Sequence, residues 1–132
     1  MMNDDMRKAV VEYRLGNARQ TMLEIPIHIE HQLWNTAINR LYYACFYAVS
    51  ALLIQSGIEA QTHGGVRRML SLHFTKPGIL PVKWNKFYTD LFDNRQTGDY
   101  EDFIYYDHET VEDTYKQAIE FIKVIEDILT RS

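Results

Sequence analysis

The 132-residue sequence predicts an all-α fold, an up-and-down bundle of four to five helices. Apolar residues recur at helical spacing along most of the chain, and no window shows the period-two alternation of a half-buried strand. Only three prolines and six glycines interrupt these patterns. Because 46% of the residues are apolar, the chain can bury one sizeable core, and we expect a single domain over residues 1–132.

The first helix is predicted over about residues 4–23. Asp4 and Asp5 occupy its first turn, where the helix dipole favours acidic side chains. Pro26 follows, and a proline inside a helix costs about 3 kcal/mol or more. The sequence leaves open whether Pro26 kinks this helix or ends it.

The strongest helical signal spans about residues 30–56 and ends at Gly57, a residue type common at helix C-termini. Its core-facing stripe consists of Trp34, Ile38, Leu41, Tyr42, Cys45, Ala48, Val49 and Leu52. The longest apolar stretch covers about 15 residues, 41–55, which is shorter than the roughly 20 needed to span a bilayer. No membrane segment is therefore expected.

An aromatic cluster on this second helix has two interpretations. The cluster consists of Tyr42, Tyr43, Phe46 and Tyr47. Such rings can stack on nucleic-acid bases, but on a helix that is apolar nearly all round they more often form core and subunit interface. We expect core and interface, with the seam of a symmetric dimer at this cluster.

Three further helices are predicted at about residues 66–74, 83–94 and 110–129. A loop at 61–65 precedes the first of them, and a turn-rich connection at 77–81 follows it. Gly98 breaks the helical pattern, so residues 96–108 are expected to form an acidic loop.

The net charge of −4 excludes a protein that holds nucleic acid by bulk positive charge. The charge is uneven, however: residues 60–88 carry five basic side chains and no acidic one, whereas residues 90–113 carry nine acids and one base, Arg95. The basic stretch is the place where a phosphate group would bind, and the alternative is a solvated surface with no ligand. The single cysteine and the acidic N-terminus, which does not resemble a signal peptide, favour a cytoplasmic protein.

Two short segments carry the candidate site residues. Arg95 offers a planar fork for phosphate or carboxylate, Asp99 can orient it, and Tyr100 can donate a hydrogen bond. The alternative is an arginine paired with neighbouring acids at a helix end.

The second segment, Thr62-His63-Gly64-Gly65, precedes a helix whose positive end attracts anions. His63 and Gly64, with Arg67 and Arg68 on the helix, are the candidate phosphate ligands, and the alternative is an ordinary cap at Thr62. No histidine, cysteine or carboxylate set has convincing metal spacing, so no metal or cofactor is expected.

Three segments in this order resemble the HEPN family, helical domains named for nucleotide binding in higher eukaryotes and prokaryotes. They are Asn39-Arg40-Leu41-Tyr42-Tyr43-Ala44-Cys45-Phe46, Thr62-His63-Gly64-Gly65-Val66 and Arg95-Gln96-Thr97-Gly98-Asp99-Tyr100. The resemblance covers nearly the whole chain. It implies a helical bundle that dimerises, often as a toxin or RNA-cleaving effector beside a nucleotidyltransferase antitoxin.

The family's catalytic signature is an arginine followed, after four to six residues, by a histidine, and two such sites form a metal-independent ribonuclease across the dimer. Arg95 stands where that arginine is expected, but positions 100–102 hold Tyr100, Glu101 and Asp102. Arg67 and Arg68 precede His73 at the signature spacing, although in the wrong part of the pattern. Two functions therefore remain open: an RNA- or nucleotide-binding toxin, with ribonuclease activity if Tyr100 or His63 transfers the proton, and a non-catalytic dimeric module that partners a nucleotidyltransferase.

Overall fold

The computed structural model of the protein describes the backbone of residues 2–100 and 106–131, and the side chains of these residues except 95–100. Within these ranges the chain forms helices and no strand. The elements are α1 (Asp4–Glu30), α2 (Trp34–Gln55), α3 (His63–Leu70), a π-helical turn (Ser71–Thr75), α4 (Val82–Tyr100) and α5 (His108–Arg131). The predicted all-α bundle is confirmed.

Helix α1 continues through Pro26, so the alternative in which this proline ends the helix is wrong. Pro26 is exposed, and its missing N–H costs α1 one i→i−4 hydrogen bond, a cost that the packing of the buried face at Ala18 and Ile25 outweighs. The helix begins at the Asn3 cap, whose side chain accepts a 2.8 Å hydrogen bond from the backbone of Met6. It ends where Gln32 adopts a left-handed conformation with φ 57°.

Helix α2 lies at the centre of the bundle and packs against α1, α3, α4 and α5. It ends as the sequence predicts, since Gly57 has φ 73° and the Ile58 amide donates back to the Leu53 carbonyl at 2.9 Å. With 22 residues, α2 is long and apolar enough to cross a membrane by length and composition, contrary to the sequence expectation. Because 67% of its apolar window is buried inside the bundle, it is a core helix and no sign of a membrane protein.

Helix α3 begins at His63, three residues earlier than the sequence predicts. The Thr62 hydroxyl accepts a 2.9 Å hydrogen bond from the Gly65 backbone, so Thr62 is the cap and the expected loop at 63–65 is instead the first helical turn. A π-helical turn extends the element to Thr75, and π turns are frequent at functional sites.

Helix α4 runs through Gly98 to Tyr100, so the expected break at Gly98 is wrong, as is the assignment of 96–100 to a loop. One glycine costs a helix only about 1 kcal/mol relative to alanine, which the continuing helix tolerates. Residues 101–105 of the expected acidic loop lie outside the described residues. Helix α5 follows a cap at Asp107, whose pKa is held below its ordinary value by hydrogen bonds from the side chain and backbone of Thr110.

A column of aromatic rings joins helices α2, α4 and α5. Tyr42 of α2, Tyr88 of α4 and Phe121 of α5 are completely buried. The Tyr42 and Tyr88 rings stack with centroids 5.9 Å apart, and Tyr88 and Phe121 stack at 5.6 Å with an interplanar angle of 2°. Tyr42 therefore belongs to the core, as its apolar surroundings on α2 predict.

Candidate functional site

His63, the first residue of α3, packs against the aromatic face of α2. Its Nδ1 atom lies 2.8 Å from the Tyr42 hydroxyl, and its ring stacks on Phe46 at 4.4 Å between centroids. Tyr43 meets the same imidazole edge-on at 5.6 Å. A buried hydroxyl needs a partner, so the Tyr42 contact fixes the orientation of the imidazole whichever atom carries the proton.

A cavity of about 530 Å³ opens beside His63, between the first half of α1, the C-terminal half of α2 and the 58–62 segment. Its apolar wall contains Phe46, Leu53, Ile54, Ile58 and Val66. Its polar lining includes Thr62 and His63 from the start of α3, Arg7 and Arg14 from α1, and Glu59. This volume lies in the range of small-molecule sites, which combine apolar walls with a few polar groups.

Arg7 and Arg14 give this cavity its charge. Both are half-buried, and among the described residues neither guanidinium has an ion pair or a hydrogen bond. Arg7 Nη1 lies only 3.7 Å from the point above Gly57 that a Cβ atom would occupy. Two arginines against one Glu59 leave the cavity with positive charge suited to a phosphate.

Arg67 and Arg68, both predicted phosphate ligands, occupy different surroundings on α3. The guanidinium of Arg67 lies 5.4 Å from the centre of the Phe92 ring of α4, and its buried Nε has no hydrogen-bond partner within the described part of the chain. Arg68 is exposed, and so is His73, the histidine at signature spacing from it. The structure therefore groups His63 and Arg67 near the aromatic cluster and leaves Arg68 at the surface.

Arg95, Asp99 and Tyr100 lie in the last turns of α4, and their side chains fall outside the described residues. Position 95 follows Phe92 by three residues, which is one helical turn. The Phe92 ring, in turn, lies 5.9 Å from the Tyr42 ring. Arg95 therefore lies one helical turn along α4 from Phe92, the residue that contacts both Arg67 and Tyr42.

Gly64→Ala and Gly65→Ala are expected to differ in their effect on stability. A Cβ atom at Gly64 would meet nothing within 4 Å, so Gly64→Ala should raise the free energy of unfolding by about 0.5–1 kcal/mol through helix propensity. A Cβ atom at Gly65 would lie 3.0 Å from the capping Thr62 Oγ1, and loss of this cap offsets the gain by about 1 kcal/mol. Urea denaturation of both variants measures the difference, and equal stabilisation would contradict the capping role of Thr62.

No group of three or more histidine, cysteine, aspartate or glutamate side chains gathers among the residues that the structure describes. Cys45 is completely buried on α2, and burial raises the pKa of its thiol, so it remains protonated and unreactive.

Sequence reasoning missed Arg7 and Arg14. A signal was present, because residues seven apart lie two turns apart on the same side of a helix. It also missed the hydrogen bond of the Tyr42 hydroxyl, because it assigned Tyr42 to the core and the subunit interface. That contact joins positions 21 residues apart and depends on the path of the 57–62 segment.

The protein is an all-α bundle with an aromatic second helix, and its third helix begins with a histidine. The chain belongs to the HEPN domain family, whose model matches residues 11–128. It is 32% identical to a UPF0332 protein of Thermotoga maritima, over 93% of each chain. Two proteins of Methanocaldococcus jannaschii, whose names propose toxins, are 30% and 27% identical over 73% and 76% of this chain, and over 71% and 74% of their own lengths.

Proposed function

We propose that this HEPN protein is a toxin that binds RNA, with one phosphate held in the cavity beside His63. The observation that carries the proposal is the pair Arg7 and Arg14, which line that cavity without an ion pair in the described residues. The M. jannaschii relatives support a toxin, because their names propose that activity. The protein is expected to act in the cytoplasm.

The chemistry of the cavity fits a nucleotide unit of RNA better than a free inorganic anion. Arginine forks bind phosphate oxygens, and the N-terminal turn of α3 adds backbone N–H groups beside His63 and Gly64. The apolar wall at Ile54 and Ile58 provides a surface for the sugar and base. Arg67 and Arg68 extend the basic surface along α3 for the next phosphates.

Cleavage, in this proposal, takes place where α4 meets this surface. Arg95 stabilises the charge that develops on the reacting phosphate, and Asp99 and Tyr100 orient it. His63 transfers the proton that the family's signature histidine would otherwise transfer, since histidine titrates near neutral pH. Its hydrogen bond to Tyr42 holds the ring in one orientation for this step.

The binding step is tested with a labelled RNA pool and the double variant Arg7→Ala/Arg14→Ala. We expect affinity to fall roughly a hundredfold, since each charged interaction with phosphate contributes about tenfold. The slope of log affinity against log salt should decrease by about 1.4, because each phosphate that an arginine neutralises on a single strand adds about 0.7 to the slope.

The matched control is Lys123→Ala/Arg131→Ala, which removes two positive charges from exposed positions on α5. This control should keep both the affinity and the salt slope of the wild type. If the Arg7/Arg14 variant binds RNA as the control does, the cavity is not the phosphate site.

A non-catalytic module that partners a nucleotidyltransferase is the second candidate. The observation that favours it is the lack of a histidine at positions 100–102. Expression of the chain alone separates the two candidates, because only a toxin should arrest growth without its partner. Growth arrest that is abolished by Arg95→Ala favours the toxin, and unimpaired growth favours the module.

A further inference from the structure

The connection between the π-helical turn and α4 exposes two aliphatic side chains that the bundle does not cover. Ile79 is 45% exposed, and Val82, the first residue of α4, is 73% exposed. Leu80, which lies between them, is completely buried. Single exposed apolar residues are common on protein surfaces, but here two of them lie three positions apart on one connection, residues 76–83, which we call the corner turn.

Hydrogen bonds fix the backbone of the corner turn. Gly78 adopts a left-handed conformation with φ 89°, and the amides of the next two residues both donate to the Phe74 carbonyl at 2.8 Å. The Thr75 hydroxyl donates to the side chain of Asn85 in α4 at 3.1 Å, which joins the two flanking elements. The two aliphatic side chains are therefore held at the surface by the fold itself.

Positive charge surrounds these side chains. Lys76 and Lys83 are exposed at the two ends of the corner turn, and residues 60–89 contain no acidic side chain. Lys86 follows Val82 by one helical turn and pairs with Asp90 at 2.7 Å. Lys76 and Lys83, in contrast, make no ion pair in the described part of the chain. The corner turn thus presents aliphatic side chains between two lysines whose charge is not neutralised.

Three kinds of partner carry the negative charge that such a surface fits: RNA, an acidic protein and an anionic lipid bilayer. RNA offers little to an aliphatic side chain, because its unpaired bases stack on aromatic rings and arginine. Protein interfaces are depleted in lysine, and valine is under-represented among their hot spots. A bilayer fits both features, since aliphatic side chains enter its headgroup boundary while lysines keep their ammonium groups beside the lipid phosphates.

We propose that the corner turn docks the protein on an anionic lipid bilayer, with Ile79 and Val82 inserted at the headgroup boundary and Lys76 and Lys83 against lipid phosphates. The cytoplasmic leaflet supplies the negative charge. Because the chain as a whole carries a net charge of −4, the bilayer orients it with the corner turn towards the lipid. The protein lies on the membrane and does not span it. None of the four side chains belongs to the proposed RNA site, so docking does not depend on RNA binding.

Co-sedimentation of the full chain with lipid vesicles tests the docking. Vesicles of phosphatidylglycerol and phosphatidylcholine in equal parts should bind the wild type, and pure phosphatidylcholine vesicles should bind it at least roughly tenfold less tightly. Ile79→Glu and Val82→Glu should each weaken binding to the anionic vesicles at least roughly tenfold, since a repelled charge replaces an inserted aliphatic group.

The matched control for the aliphatic side chains is Leu33→Glu, which should bind as the wild type does. Leu33 is 48% exposed, close to the value for Ile79. It lines a cavity together with Tyr106, whose hydroxyl donates to the carbonyl of Asn94, twelve residues along α4 from the corner turn. Far-UV circular dichroism of each variant verifies that the bundle is folded.

The contribution of charge is tested with Lys76→Gln/Lys83→Gln, which should weaken binding to the anionic vesicles roughly thirtyfold, because each lysine near an anionic surface contributes about fivefold. The control Lys116→Gln/Lys123→Gln removes two exposed charges from α5 and should keep the wild-type affinity.

Insertion is tested with an environment-sensitive dye on Val82→Cys, since Cys45 is buried and does not compete for the label. The emission should shift to the blue on anionic vesicles, whereas the same dye on Leu33→Cys should not respond. Equal losses in variants and controls, or a bound protein whose dye at position 82 does not shift, would overturn the proposal. A wild type that does not bind anionic vesicles would also overturn it, and would leave an acidic protein as the partner of this surface.

Discussion

Replacing Phe121 by alanine is expected to lower the free energy of unfolding by about 3–5 kcal/mol, the cost of removing a buried phenyl ring and leaving a cavity. Phe121 is completely buried and contacts the rings of Trp84, Phe87 and Tyr88, all from α4. Phe121 is the residue that α5 contributes to the aromatic column, where its ring stacks on Tyr88. A domain of this size has only about 5–15 kcal/mol of stability in total, so the loss is a large share of it.

The measurement is urea denaturation followed by circular dichroism. Phe121→Leu should cost less than Phe121→Ala, because leucine fills part of the volume. The exposed Leu72→Ala, on the π-helical turn, serves as the control and should change stability by less than about 0.5 kcal/mol. A loss at Phe121 no larger than that at Leu72 would contradict the aromatic column as the centre of the core.

The sequence predicted the helices well where one strong local signal decided the outcome. The core face of α2 and its end at Gly57 follow from helical periodicity and from the ease with which glycine adopts a positive φ. The predictions failed at Pro26 and Gly98, where a local helix breaker competes with a long helix on either side. An unfavourable helix propensity at one residue costs only a few kcal/mol of stability, and the hydrogen bonds and packing of the surrounding helix outweigh that cost.

The candidate site could be predicted only in part. His63 was found because histidine and glycine beside a helix start are a local pattern. The cavity was not, because Arg7, Gly57 and His63 are distant in sequence and meet only when α1 and α2 are packed. Tyr13 and Leu23 illustrate the same limit, since their spacing predicts a helix and does not tell which face the bundle covers.

Cleavage of a labelled RNA pool in chelator-containing buffer is expected to proceed with the wild type and to fall at least roughly a hundredfold in Arg95→Ala. An arginine that stabilises the reacting phosphate is worth about this much in an active site. Cleavage should persist in chelator, because no step of the proposed chemistry uses a metal ion. The control Arg131→Ala removes an exposed arginine at the end of α5 and should retain full activity.

His63→Gln separates binding from proton transfer, since glutamine keeps a hydrogen-bonding group near Tyr42 but does not titrate. General acid–base catalysis contributes about a hundredfold or more, so cleavage should fall by at least that factor while RNA affinity changes little. Because His63 gives and takes a proton in the proposed step, the wild-type rate should depend on pH, and the variant should lose this dependence. If neither Arg95→Ala nor His63→Gln alters cleavage, the activity does not belong to this site. If the wild type does not cleave RNA at all, the module that partners a nucleotidyltransferase becomes the better account, because a domain without the signature histidine then has binding as its remaining function.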